Sequence, residues 1–136
     1  MAKRPAVRTA ARALAVEAAR IADDNNAEDV VILDLRGVSP VTDYFVLCTG
    51  TSRPQMKAVA QKIADYGRSV GQSTYREAGV DGGQWAVLDF VDVVVHIFGP
   101  AHRRYYDLEL IWGAAPKVRW KRRAASRGRP AGSAEA

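Results

Sequence analysis

The sequence predicts an α+β domain, a mixed β-sheet of about five strands flanked by helices. Apolar residues recur at helical spacing in two long segments and one short one. Short runs rich in β-branched and aromatic residues lie between them, and these strands outnumber the helices. Two of the runs are separated only by Val91-Asp92, which predicts an antiparallel hairpin.

The elements follow in order. Val7, Ala10, Ala11, Leu14, Ala18, Ile21 and Ala22 form an apolar stripe and predict a helix over 7–24, ended by Asp24-Asn25-Asn26. Residues 30–35, Val-Val-Ile-Leu-Asp-Leu, read as a buried strand, and residues 44–49 as a second. Ser52 and Gln55 have the spacing of a capping box, and Pro54 is tolerated in a first turn. They open a helix that runs through Met56, Val59, Ala60, Ile63, Ala64 and Val70, with Gly71 as its stop. Residues 73–78 read as a third strand, Asp81-Gly82-Gly83 as a turn, and 85–90 and 93–98 as the hairpin strands. After the Gly99-Pro100 break, 102–112 reads as a last helix.

Composition bounds the function. A chain of 136 residues is one domain's worth, and at 48% apolar it can bury a core, which excludes wholesale disorder. No apolar run is long enough to cross a membrane as a helix. The lone cysteine, Cys48, excludes an internal disulfide and a cysteine-only metal cage, and it fits a reducing, cytoplasmic setting. The net charge of +5 points first to a polyanion partner. Its distribution changes that reading. Residues 1–12 carry +4 and residues 117–136 carry +6, so residues 13–116 carry −5. The expected organisation is a basic extension over 1–6, a domain over 7–116, and a flexible basic tail over 117–136, where Ser, Gly and Pro replace large apolar residues after Trp120. The tail is either a solubilising segment or an RNA contact through Arg119, Lys121, Arg122 and Arg123. The basic N-terminus lacks the apolar core of a signal peptide, and a transit peptide is the alternative to a helix beginning near Val7.

No catalytic constellation emerges. Gly50-Thr51-Ser52 follows a strand and opens a helix, which is anion-binding geometry, but no GxxxxGK[ST] or GxGxxG fingerprint accompanies it. Metal-dependent nucleotidyl transfer needs two carboxylates one residue apart on a strand, whereas Asp89 and Asp92 are three apart across a turn. No metal ligand set and no cofactor are expected, and the chain is not expected to be an enzyme. His96 shares a strand face with Val94 and Phe98, and neither it nor His102 has an orienting partner in a known motif. Cys48 reads as a small buried hydrophobe. Trp85 alternates with Val87 and Asp89, while Arg103, Arg104, Tyr105, Tyr106 and Trp112 crowd the last helix. These aromatics either pack helix on sheet or form a protein-binding face, since Trp, Tyr and Arg anchor interfaces disproportionately.

Three blocks in this chain resemble a known family. Asp43-Tyr44-Phe45-Val46-Leu47-Cys48-Thr49-Gly50-Thr51-Ser52 is similar to T-D-Y-F-V-I-x-[ST]-G-x-S. Trp85 to Phe98 resembles W-x-[LV]-[LV]-D-[YF]-G-D-V-[IV]-V-H-[IV]-F, and Arg104 to Trp112 resembles R-x-[FY]-Y-x-L-E-x-L-W. In this order, over about residues 7–115, the blocks resemble the ribosomal silencing factor family, RsfS, also called iojap-like. The resemblance implies a nucleotidyltransferase-like fold without the catalytic carboxylates. It implies binding to the large ribosomal subunit through its universal protein numbered fourteen, which blocks subunit joining and represses translation, and a homodimer when free. By the motifs, Trp85, Asp89, His96, Arg104, Tyr106 and Glu109 are the partner-binding candidates. The alternative is a divergent nucleotidyltransferase or nucleotide-binding protein. Val91 stands where the family has Gly, Ile111 where it has Leu, and the basic tail lies outside the common domain.

Overall fold

The computed structural model describes residues 5–101 and 115–122. The expected last helix over 102–112, with Arg104, Tyr106 and Glu109, lies outside the described residues, as do Arg123 and the rest of the C-terminus.

Helix α1 (Pro5–Asp24) buries Ala11, Leu14, Ala15, Ala18, Ala19 and Ala22. Small side chains at these steps let its backbone lie close to the sheet. Its end is a Schellman motif. Asn26 takes φ +71°, its N–H donates to the Asp23 carbonyl (3.1 Å), and the Ala27 N–H donates to the Ala22 carbonyl (2.9 Å). Strand β1 (Glu28–Asp34) begins with a bulge around Asp29, where φ is +50°. β2 (Tyr44–Thr49) pairs with it antiparallel.

Helix α2 (Arg53–Ser69) is N-capped by Ser52, whose Oγ accepts from the Gln55 N–H (3.2 Å). The expected reciprocal bond is displaced by one residue: Gln55 Oε1 accepts from the Thr51 N–H (3.0 Å). Gly71 ends the helix at φ +79°, with the Gln72 N–H donating to the Gly67 carbonyl (2.7 Å). The third strand is shorter than expected. β3 spans only Arg76–Ala78 and is exposed throughout; ahead of it Gln72 is held in the helix cap, and the Tyr75 N–H donates to the Asp89 carbonyl (2.7 Å).

β4 (Trp85–Asp89) and β5 (Val93–Phe98) form the expected antiparallel hairpin. Its turn is tight. The Phe90 N–H donates to the Val93 carbonyl (2.8 Å), the Asp92 N–H to the Phe90 carbonyl (3.0 Å), and the Val91 N–H to Asp89 Oδ1 (2.8 Å). Val91 is therefore forced to φ +77°, a region that suits glycine and opposes a β-branched side chain.

The strand order is β1-β2-β5-β4-β3, with β2 and β5 parallel and the other pairs antiparallel. Both helices contact each other and lie on one face of the sheet, over a core that includes Ile32, Val46, Cys48, Leu88, Val95 and Ile97. The opposite face carries a smaller cluster of Leu33, Leu35, Leu47, Phe98 and Ala115, with Val31, Phe45 and Trp85 at its margin.

Residues 117–122 correct an expectation. They are not the start of a flexible tail. The Asp34 N–H donates to the Pro116 carbonyl (2.8 Å), Lys117 bridges antiparallel to Leu33, and the Val118 N–H donates to the Ile32 carbonyl (2.9 Å). Trp120 is 8% exposed, packs in the main core, and donates from Nε1 to the Val30 carbonyl (3.2 Å) beside the bulge. Arg20 of α1 closes the arrangement by donating to the Trp120 carbonyl (2.8 Å). Composition misread the segment because two apolar residues, Val118 and Trp120, suffice when the edge of β1 offers them a ladder.

Two outcomes follow from these contacts. Val91→Gly should raise unfolding free energy by about 1 kcal/mol by relieving the left-handed strain, read as a higher urea midpoint at unchanged m-value. Trp120→Ala should lower it by about 3 kcal/mol, and equal stability of variant and parent would show that the strap is not structural.

Candidate functional site

The face of the sheet opposite the helices is read from its register. Phe45, Leu47 and Thr49 of β2 stand beside Val94, His96 and Phe98 of β5. Those in turn stand beside Asp89, Val87 and Trp85 of β4. Side chains alternate along a strand, so all nine project to this face. The expected alternation of Trp85, Val87 and Asp89 is what the structure shows.

Trp85 and His96 form the centre. The Trp85 indole Nε1–H donates to His96 Nδ1 at 3.1 Å. The donor fixes the tautomer: Nδ1 must be the acceptor, so the neutral ring carries its proton on Nε2. Nε2 is buried and finds no hydrogen-bond partner among the described residues. Phe45 meets the imidazole edge-on (centroids 4.7 Å), and Phe98 stacks on it (6.0 Å) and on Trp85 (5.5 Å). The imidazole is 7% exposed. Burial pushes its pKa down to about 4, with the Asp89 carboxylate pulling weakly the other way. A neutral, buried imidazole with its acceptor nitrogen already bonded is not placed as a general base. Its effect is to hold the half-buried indole in one orientation.

Asp89 is half-buried, one carboxylate oxygen is taken by the hairpin turn, and Arg76 of β3 is its cross-strand neighbour. Phe45 and Phe98 belong to the aromatic group although site reasoning from sequence did not single them out. Phe98 shares the parity of His96, a signal within reach, whereas Phe45 is brought in only by the β2–β5 register. Arg119, Lys121 and Arg122 are exposed on the strap, far along the sheet from Trp85. Lys121 Nζ lies 5.8 Å from the centroid of the Trp120 ring, and Arg122 pairs with Asp24 at 3.4 Å, an exposed contact of little energetic weight.

The Gly50-Thr51-Ser52 turn is a helix cap. Gln55 Oε1 occupies the Thr51 N–H, its Nε2 donates to the Asn25 carbonyl (2.8 Å), and a Cβ at position 50 would collide with Met56. Among the described residues no three His, Cys, Asp or Glu side chains gather as metal ligands, and no helix is long and apolar enough to cross a membrane. Cys48 is fully buried and in no disulfide.

Comparison with known proteins agrees with this architecture. The profile of the family described as "RsfS: Ribosomal silencing factor during starvation" matches residues 8–136. Ribosomal silencing factor RsfS of Bacillus subtilis is 43% identical over 99 residues, which cover 73% of this chain and 84% of that protein. A crystal structure of a Chromobacterium violaceum protein superposes with a TM-score of 0.70 at 30% identity, covering 89% of this chain and 98% of that one. A second, from Bacillus halodurans, gives 0.65 at 38% identity, covering 78% and 93%.

The buried imidazole makes stability depend on pH. His96 ordinarily titrates near 6.5 and is held at about 4 in the fold, so between these values only the unfolded chain gains the proton. Stability should therefore be full above about pH 6.5 and fall toward about pH 4, by on the order of 3 kcal/mol in all. His96→Phe should lack this component. Urea midpoints of parent and variant at about pH 7 and about pH 5 check it; equal losses in both would refute the assignment.

Proposed function

Since the chain belongs to the ribosomal silencing factor family, we propose that it represses translation by docking on the large ribosomal subunit and sterically blocking subunit joining. The docking partner in this reading is the universal large-subunit protein numbered fourteen. The observation that carries it is the Trp85 indole, half-buried on the face opposite the helices and oriented by its bond to His96. An aromatic anchor whose orientation is already fixed loses little freedom on binding. Asp89 supplies negative charge on the same strand face, about 13 Å along β4, for a basic partner, and the net −5 of residues 13–116 favours the same sign of partner. Arg104, Tyr106 and Glu109 complete the proposed footprint.

The scaffold is read as nucleotidyltransferase-like without its catalytic carboxylates, a binding protein and not an enzyme. Two features support this: the spacing of Asp89 and Asp92, and the occupation of the Thr51 N–H by Gln55. The free protein is proposed to be a cytoplasmic homodimer.

Sedimentation with purified large subunits and a subunit-joining assay test the reading. The protein should co-sediment and should slow joining. Trp85→Ala should weaken binding about thirtyfold, the loss of about 2 kcal/mol typical of an interface anchor. Full binding by that variant, or joining unaffected by the parent protein, would count against the proposal. Calorimetry with Mg-ATP and Mg-CTP should show no micromolar binding, and a signal there would favour the nucleotide-binding alternative.

A further inference from the structure

The C-terminal strap alternates in burial. Val118 and Trp120 turn into the core, and Lys117, Arg119 and Lys121 are exposed. Lys117 is the antiparallel partner of Leu33. Directly paired residues project to the same side of a sheet, and Leu33 belongs to the cluster opposite the helices, with Leu47 and Phe98. Lys117 therefore stands on the side that bears Trp85 and His96, beyond β1. Arg119, exposed two residues on, continues its row by alternation, whereas the Lys121 ammonium lies back over the Trp120 ring.

We propose that Lys117 and Arg119 form a docking rail for the phosphodiester backbone of RNA. The proposal deepens the ribosome-binding reading and rests on it, naming RNA as a second partner at the same side of the sheet. Alternate residues of an extended chain lie about 6.7 Å apart, a separation comparable to that of successive phosphates along a nucleic-acid strand. The row is of one sign. Arg119 adds a planar fork suited to phosphate oxygens. The backbone beneath is fixed to β1 by the Pro116 and Val118 hydrogen bonds, so its ordering entropy is lost on folding and not on binding. The negative balance of residues 13–116 disfavours a polyanion on the rest of that segment. From the strap to β4 the sheet crosses β1, β2 and β5, about 19 Å at ordinary strand spacing. A protein partner on Trp85 and an RNA strand on the rail can therefore be held side by side. An anionic membrane fits less well. A surface binder of lipid exposes large apolar residues among its cations, and here Val118 and Trp120 are turned inward.

The test uses the full chain and a variant carrying Lys117→Gln and Arg119→Gln. Fluorescence anisotropy with a labelled mixed-sequence single-stranded RNA is run over a salt series. The variant should bind at least about tenfold more weakly, and the slope of log K against log salt should shrink by about 1.4, two phosphates' worth of released counterions. Its thermal unfolding should match the parent's, since only exposed ends are replaced. Equal RNA binding by parent and variant would overturn the rail, as would a loss seen only on deletion of 123–136. Binding of phosphatidylserine vesicles, abolished in the variant and without RNA binding by the parent, would overturn it in favour of a membrane. Large-subunit sedimentation separates the two readings. A parent that binds RNA through the rail but does not co-sediment counts against the ribosome reading alone. Co-sedimentation with the same salt dependence in parent and variant counts against the rail alone.

Discussion

The parallel pairing of β2 with β5 is the constraint on which the rest of the structure depends. It joins segments almost fifty positions apart in register, from Tyr44 beside Val93 to Thr49 beside Phe98. Both strands are buried along most of their length, as a central parallel pair must be. Side chains alternate with a period of two, so a slip of one residue would exchange the faces. Val46 and Cys48 would no longer share a face with Val95 and Ile97 under the helices, and Phe45 would leave His96. The hairpin to β4 and the antiparallel partner β1 take their positions from this pair.

That pairing gives the sheet two chemically different sides. One is filled by α1 and α2, whose alanines allow close approach and whose ends are tied off by Schellman motifs at Asn26 and Gly71. The other gathers Phe45, Trp85, His96 and Phe98 into an aromatic group around one hydrogen bond. A histidine in that place costs desolvation of its charged form, and the fold accommodates it by keeping the ring neutral. The imidazole thereby works as an acceptor that orients an indole. A phenylalanine would fill the space but could not do that.

Charge is arranged on the same frame. The acidic balance of residues 13–116 and the basic ends are properties of the chain. Their usefulness depends on how the C-terminal segment is held. Trp120 anchors the segment to the open edge of β1, satisfies the Val30 carbonyl freed at the bulge, and covers a strand edge that would otherwise be free to pair. A run of cations that composition describes only as solvated begins on backbone tied to β1 at Pro116 and Val118.

The sequence by itself determined the local structure: two helices with their caps and stops, the β2 and β5 boundaries, and the hairpin across Val91-Asp92. These features rest on periodicity, turn residues and capping, which act within a few positions. It also pointed to Trp85, Asp89 and His96 and placed Trp85 and Asp89 on one strand face, because strand parity is local. It did not determine the truncated β3, the left-handed strain at Val91 or the docking of 117–122. Nor could it join Trp85 to His96 or bring Phe45 against the ring. Those contacts depend on register between distant strands and on which edge remains open for pairing. Long-range burial decides both, and no short window of sequence contains it.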